Sequence, residues 1–290
     1  MTSPAEIVVT LDGAVVAAGF PVGHVDDPLF ARGDGVFETL LVRGGRACLV
    51  GRHLDRLARS AASVGLPPPD QPRWRSAVAT AARQWPGAGE AVMRLVWGRG
   101  HDGEPVGFVA ASPLPDRVAA ARRDGVSAIT MDRGISVGEP PPMGAGLPRW
   151  STADVKSLSY AVNAAALRHA QNHGADDVVL TSADGYVLEG PRSSVLIATG
   201  DGVLVTPPST LPILSGTTVA AVFDVARRRG ASCDERLLRP CDLLVAEGVW
   251  LLSSVTLAAR VHTLDGHALA AADGVPDVAA MVDEAVGTPD

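Results

Sequence analysis

The sequence predicts an α+β or α/β chain of two domains, and three observations carry that reading. The length, 290 residues with 47% apolar content, suits two domains of roughly 150 residues each. Strand-like and helix-like patterns are mixed within both halves. Between them, 134–150 is rich in Pro and Gly with little periodicity, and reads as an interdomain connection. The expected partition is 1–133, a connection over 134–150, and 151–290.

The elements follow in order. Ile7 to Leu11, a turn at Asp12-Gly13 and Ala14 to Val16 predict an opening hairpin. Gly35 to Arg43 reads as a strand stopped by Gly44-Gly45, with Ala47 to Val50 as its return. Apolar residues at Leu54, Leu57, Ala58 and Ala61 predict a helix over 53–64, ended by Gly65 and three prolines. A second helix is expected over 74–85. Strands are expected at 91–97 and 107–111, around a glycine-rich loop at 98–107, and again at 125–131. Beyond the connection, the pattern predicts a helix over 160–173, closed by Gly174. A hairpin follows, 177–182 and 186–189, around Ala183-Asp184-Gly185. Strands are expected at 194–198 and 203–206, and an amphipathic helix over 217–229. Late strands at 249–253 and 257–262 and a helix over 275–286 complete the chain.

Composition narrows the function. The net charge of −7 disfavours nucleic-acid binding, which needs a Lys/Arg surplus. Cys48, Cys233 and Cys241 are odd in number and far apart, so neither a disulfide framework nor a zinc ribbon is expected, and a reducing cytoplasm fits. No signal-like N-terminus is seen. The charge-free stretch 202–223 is broken by prolines and does not read as a membrane span. Of the 25 Lys+Arg, one is lysine, Lys156.

Generic motifs fail. Gly33-Asp34-Gly35 has Glu38 where a dinucleotide fingerprint needs its third glycine. No phosphate-binding G-x-x-x-x-G-K and no G-x-S-x-G elbow occurs. His169 and His173 share a helix face, but no third ligand is evident, so they read as solvated and no metal site is expected. Four features remain. Lys156 can act as a nucleophile if it sheds its proton. Glu189 ends a strand before a Gly-Pro break. Leu214-Ser215-Gly216-Thr217-Thr218 opens a helix and can cup an anion. Arg56 lies one turn into a helix. A lysine, a carboxylate, an anion cup and an arginine are the parts that hold pyridoxal 5′-phosphate.

These residues, in the order Gly33 to Thr39, His53-x-x-Arg56-Leu57, Lys156-Ser157-Leu158, Leu188-Glu189-Gly190 and Leu214 to Thr218, resemble the class IV pyridoxal-phosphate enzymes. The resemblance spans about 8–269. It implies the two-domain α+β fold of type IV, like that of D-amino-acid aminotransferase, with mixed sheet and helices in both domains and a homodimer. It implies that Lys156 forms the Schiff base and shuttles the proton, and that Glu189 pairs with the pyridine nitrogen. Arg56, Gly216, Thr217 and Thr218 would hold the phosphate with Ser253 and Ser254. Tyr160 would approach the phenolic oxygen, and Ser194 joins the cofactor set.

Within the family, the sequence looks closest to 4-amino-4-deoxychorismate lyase, which yields 4-aminobenzoate and pyruvate in folate biosynthesis. The alternative is an aminotransferase acting on D-amino acids or branched-chain L-amino acids. The loop from Arg99 to Pro105 is read as lacking the R-x-H carboxylate trap of D-amino-acid transaminases, and its Arg99-Gly100 element as resembling the lyases. Pro191-Arg192-Ser193 departs from the branched-chain pattern. Arg32, Arg99 and Arg192 are the candidate partners for the two substrate carboxylates.

Overall fold

The computed structural model describes residues 6–17, 19–87, 89–138, 151–272 and 274–288. Their contacts form two compact units. One comprises the described residues of Met1–Pro115, Arg149–Tyr160 and Thr288–Asp290, the other those of Asp116–Pro148 and Ala161–Gly287. Sheet and helices occur in both, as expected, but only the second unit's sheet is mixed; the described pairings of the first are all antiparallel.

The first unit opens with β1 (Ile7–Thr10) and β2 (Val15–Ala17), the antiparallel hairpin expected around Asp12-Gly13. A short helix, α1 (Pro28–Arg32), was not legible in the sequence. It starts on a proline and closes on Gly33 at φ 66, a left-handed cap that glycine adopts without strain. Next come β3 (Gly35–Arg43), β4 (Arg46–Ala47), α2 (Val50–Ser63), α3 (Gln71–Gln84), β5 (Ala91–Arg99) and β6 (Pro105–Pro113). The sheet order is β2-β1-β6-β5-β3-β4. The glycine-rich loop shrinks to a turn, because β5 and β6 keep pairing out to Arg99↔Pro105. The apolar stripe of α2 buries Leu54 and Leu57 with Trp74 of α3 and with Leu40, Met93 and Leu95 of the sheet.

The segment carrying Lys156 packs on β3. The Phe37 N–H donates to the Lys156 carbonyl at 2.9 Å, and the Leu158 N–H to the Gly35 carbonyl at 2.9 Å. Val36 and Ser157 face each other as an isolated antiparallel bridge. Gly35 is what allows this approach. A Cβ there would lie 2.8 Å from Leu29 Cδ1, 2.9 Å from Leu158 Cδ1 and 2.9 Å from the Trp97 carbonyl oxygen. The side-chain carbons can shift, but the carbonyl belongs to a paired strand. Gly35→Ala should therefore cost about 1–3 kcal/mol, seen as a lower Tm in thermal unfolding. An unchanged Tm would mean that the approach is looser than described.

The second unit contains α4 (Asp116–Asp124), β7 (Val126–Asp132), α5 (Ala161–Asn172), β8 (Asp177–Thr181), β9 (Ser194–Ala198) and β10 (Leu204–Thr206). It continues with α6 (Thr217–Arg228), β11 (Cys233–Glu235), α7 (Pro240–Leu244), β12 (Gly248–Ser253), β13 (Leu257–Leu264), β14 (His267–Ala268) and α8 (Val278–Gly287). The sheet runs β11-β10-β9-β12-β13-β7-β8, with β14 paired to β13. It is mixed: β7 pairs parallel with both β8 and β13, while β9, β12 and β13 pair antiparallel. Of α4, β11 and α7, none was expected.

The strand expected at Tyr186–Glu189 is not a regular one. Leu188 and Glu189 do exchange backbone bonds with Leu180, but the Val187 N–H donates to the Leu238 carbonyl at 2.7 Å instead of continuing the ladder. The contacts also divide the chain differently from the partition expected. β7, read as the end of the first domain, is held by β8 and β13 of the second sheet. Lys156, read as part of the second domain, is held by β3. Of the expected connection at 134–150, residues 139–150 lie outside those described. Among the described residues, no helix is long and apolar enough to cross a membrane.

Candidate functional site

In the first unit the site is built on β3 and α2. Lys156 is half-buried, and its Nζ lies 4.7 Å from the centroid of the Phe37 ring. A cation over an aromatic face is favoured, so Phe37 gives the ammonium a seat. Tyr160 meets the same ring edge-on, with centroids 5.5 Å apart. Lys156 is thus held by its backbone on β3, and the Phe37 ring meets both its side chain and Tyr160.

Beneath this lies a buried ionic cluster that the sequence reading missed. Glu38, on β3, is fully buried, and the Arg56 and His53 side chains of α2 converge on it. Arg56 Nε donates to Glu38 Oε1 at 2.7 Å and Nη2 to Oε2 at 2.8 Å, a two-point fork. His53 Nδ1 lies 2.7 Å from Oε2. Burial by itself would raise the Glu38 carboxyl. The Arg56 guanidinium and the hydrogen bonds from Arg56 and His53 outweigh it and hold the group far below the usual carboxylate range. Burial pushes the His53 imidazole down, against the pull of Glu38, and the nearby Arg56 and Lys156 cations push the same way. His53 is therefore neutral near pH 7, with its Nδ1 proton donated to Glu38. The helical spacing of His53 and Arg56 was readable, but their shared partner across the sheet was not.

The second unit carries the other cluster. Glu189 is buried and held at both oxygens. Arg133 Nη1 donates to Oε1 at 2.9 Å, and the Leu214 N–H donates to Oε2 at 3.1 Å. Arg133 also reaches the Pro212 carbonyl at 3.0 Å. No sequence signal marked Arg133. Immediately after Leu214, α6 begins with Gly216 as its N-cap, so no cap side chain satisfies the first-turn N–H groups. Thr217 and Thr218 follow, both buried. Ser194 opens β9, and its Oγ would sit 2.3 Å from a Cβ built on Gly216. Leu252 of β12 faces Ser194 in the sheet register, which brings Ser253 to the same end. Ser253 Oγ accepts from the Thr256 N–H at 3.1 Å, and Ser254 follows it in the turn before β13. Ser194, Gly216 to Thr218 and Ser253 thus gather at one end of the second sheet, next to Glu189.

The candidate substrate arginines each have their own setting. Arg32 is exposed at the end of α1. Arg99 is tied internally: Nε donates to Asp34 Oδ2 at 3.1 Å and Nη2 to the Val64 carbonyl at 2.6 Å. Arg192 Nη2 lies 3.7 Å from Asp177 Oδ2 in the second unit. His169 and His173 are exposed, and His173 Nδ1 bonds the His169 carbonyl at 2.8 Å. One motif reading needs correction. Arg99-Gly100-His101 is itself an R-x-H stretch, so the expectation that the loop lacks one does not hold.

The family model for amino-transferase class IV matches residues 35–264. The chain belongs to this family. The class IV match runs from β3 to the end of β13 and so includes both clusters. Over 97% of its length, the chain is 53% identical to a bifunctional aminodeoxychorismate lyase / D-amino acid transaminase of Mycobacterium tuberculosis, 99% of which is covered. It is also similar to solved structures described as a hypothetical aminotransferase from Mycobacterium tuberculosis. With the PLP-bound form it shares 52% identity and a TM-score of 0.89, covering 97% of this chain and 98% of that one. With the form bound to alpha-ketoglutarate and PMP it shares 53% identity and a TM-score of 0.89, at the same coverage.

Proposed function

We propose that this class IV chain is a pyridoxal-phosphate-dependent 4-amino-4-deoxychorismate lyase that releases pyruvate and leaves 4-aminobenzoate, with D-amino-acid transamination as a second activity. The observation that carries the reading is the near end-to-end match to the bifunctional Mycobacterium tuberculosis relative. The residues fit the cofactor. Gly216 leaves a cradle that a Cβ would fill, the first-turn N–H groups of α6 have no cap side chain, and Glu189 is fixed at both oxygens.

We assign the phosphate to the N-terminus of α6 with Thr217, Thr218, Ser194, Ser253 and Ser254. Glu189 is assigned to the ring nitrogen, and Tyr160 to the phenolic oxygen. Arg56, forked on Glu38, is assigned to the phosphate as well, on the class IV resemblance. When bound, the cofactor supplies an electron sink for a carbanion next to the substrate nitrogen.

The protein's own part is proton handling. Lys156 Nζ takes the proton from the carbon that bears the substrate amine, as a general base. The Phe37 ring keeps the resulting ammonium in place. In the lyase reaction the C–O bond to the enolpyruvyl group then breaks, the ring becomes aromatic, and the enol takes a proton to become pyruvate. In transamination the ammonium returns its proton to the cofactor carbon instead. Homodimer assembly and a cytoplasmic setting belong to the same proposal. The latter is supported by three cysteines that form no disulfide.

Product analysis tests this. Holoenzyme given aminodeoxychorismate should release 4-aminobenzoate and pyruvate in equal amounts without a keto-acid acceptor. With a D-amino acid it should convert the bound cofactor to its amine form, reversed by a 2-keto acid. Neither product from aminodeoxychorismate would overturn the lyase assignment. The second reading is favoured by the D-amino acid transaminase activity in the name of the Mycobacterium tuberculosis relative, and failure of every D-amino acid to change the spectrum would remove it.

A further inference from the structure

The fold brings His24 and His101 together, although they lie far apart in the chain and neither belongs to the clusters above. Their rings meet with centroids 4.4 Å apart. With Asp26 they offer three ligand atoms, all within 4.8 Å of one another and all exposed. Ligand atoms around a tetrahedral zinc ion sit about 3.4 Å apart at its usual bond lengths. Exposed side chains can close that difference by rotamer adjustment.

The second observation is what lies behind them. Asp27 is fully buried, and its carboxylate organises both sides of the cluster. Oδ2 accepts from the His24 N–H at 2.7 Å, and Oδ1 accepts from the His101 N–H at 2.8 Å. Oδ1 also lies 3.0 Å from His101 Nδ1. A carboxylate acceptor there places the ring proton on Nδ1 and leaves the lone pair on Nε2. A carboxylate that fixes the tautomer and orientation of an imidazole is the usual support of a metal-bound histidine. Gly23 belongs to the same construction, since a Cβ there would lie 2.6 Å from Asp27 Oδ2. Arg99 does not oppose a cation, because its guanidinium is turned to Asp34 and the Val64 carbonyl.

We propose that His24, Asp26 and His101 bind a first-row divalent cation, zinc by the chemistry of two imidazoles and one carboxylate. Water fills the remaining position. The ion clips the segment before α1 to the turn between β5 and β6, within the first unit. It is independent of the cofactor. The sequence reading expected no metal, because only the fold makes these three residues neighbours.

The test titrates metal-free holoenzyme with Co2+ in a buffer free of amino acids, reading ligand-field absorption, and with Zn2+ by calorimetry. The expected result is one ion per chain in the wild type, with absorption typical of nitrogen and oxygen ligands. His24→Ala and Asp26→Asn, both exposed, should lose most of the affinity while keeping the cofactor spectrum and Tm of the metal-free wild type. Asp27→Asn should weaken binding about 10–100-fold. Zinc should raise the Tm of the wild type and not that of His24→Ala. No saturable uptake, uptake unchanged in His24→Ala, or absorption typical of thiolate ligands would each overturn the proposal.

Discussion

Lys156→Ala and Lys156→Arg should both lower kcat/KM for aminodeoxychorismate by about 10³-fold or more, the scale of losing a positioned proton carrier. The covalent hold on the cofactor should be lost as well. The arginine variant is the decisive one. It keeps the charge and the reach over the Phe37 ring, but a guanidinium stays protonated and cannot form the carbonyl–amine link. The fold should survive either change, because β3 holds this residue through its backbone: the Phe37 N–H bonds the Lys156 carbonyl, and the Leu158 N–H bonds the Gly35 carbonyl. The measurements are the mass of the chain after borohydride reduction with cofactor present, the visible spectrum, and steady-state rates. An arginine variant with wild-type rates would remove Lys156 from the chemistry.

The largest expected stability loss lies at Glu38. Glu38→Ala leaves the Arg56 guanidinium buried without its fork partner, and breaking such a pair costs about 3–5 kcal/mol. Changing both residues, as in Glu38→Leu with Arg56→Met, should restore much of that stability while impairing cofactor binding, if Arg56 also serves the phosphate. The pH dependence has a definite sign. Glu38 binds its proton far less readily folded than unfolded, so its contribution is complete above about pH 4.5 and is lost as the pH falls toward its low folded value. His53 is also depressed by burial, so the unfolded chain takes up its proton first as pH drops below about 6.5. Both groups therefore make stability fall with acid. Denaturant unfolding at pH 7.5, 6, 5, 4 and 3 should show this decline in the wild type. In Glu38→Gln it should be shallower below pH 5. An unchanged slope would detach the cluster from the acid response.

Much of the fold was legible from local pattern. The alternation of β3 and the glycines beyond it set the strand at Gly35–Arg43, and β9 at Ser194–Ala198 was equally plain. Helices α2 and α6 announced themselves by their apolar stripes. What was missed was short or depended on distant partners. α1 and α7 span five residues each, too short for periodicity to register. The 186–189 segment looks like a strand, yet the Leu238 carbonyl takes the Val187 N–H.

The candidate site divides in the same way. By itself, the sequence determined the chemistry available: a single lysine that arginine cannot replace in Schiff-base chemistry, a carboxylate before a Gly-Pro break, and a glycine opening an amphipathic helix. It also determined the order of the motifs, and so the family. Tertiary structure alone decided that Arg56 is forked on Glu38, that Arg133 holds Glu189, that β3 and not the second sheet carries Lys156, and that His24 meets His101. The physical reason is range. Periodicity and turn chemistry are set by residues within a few positions of each other, whereas a buried charge finds its partner, and a histidine its tautomer, only after distant segments have packed.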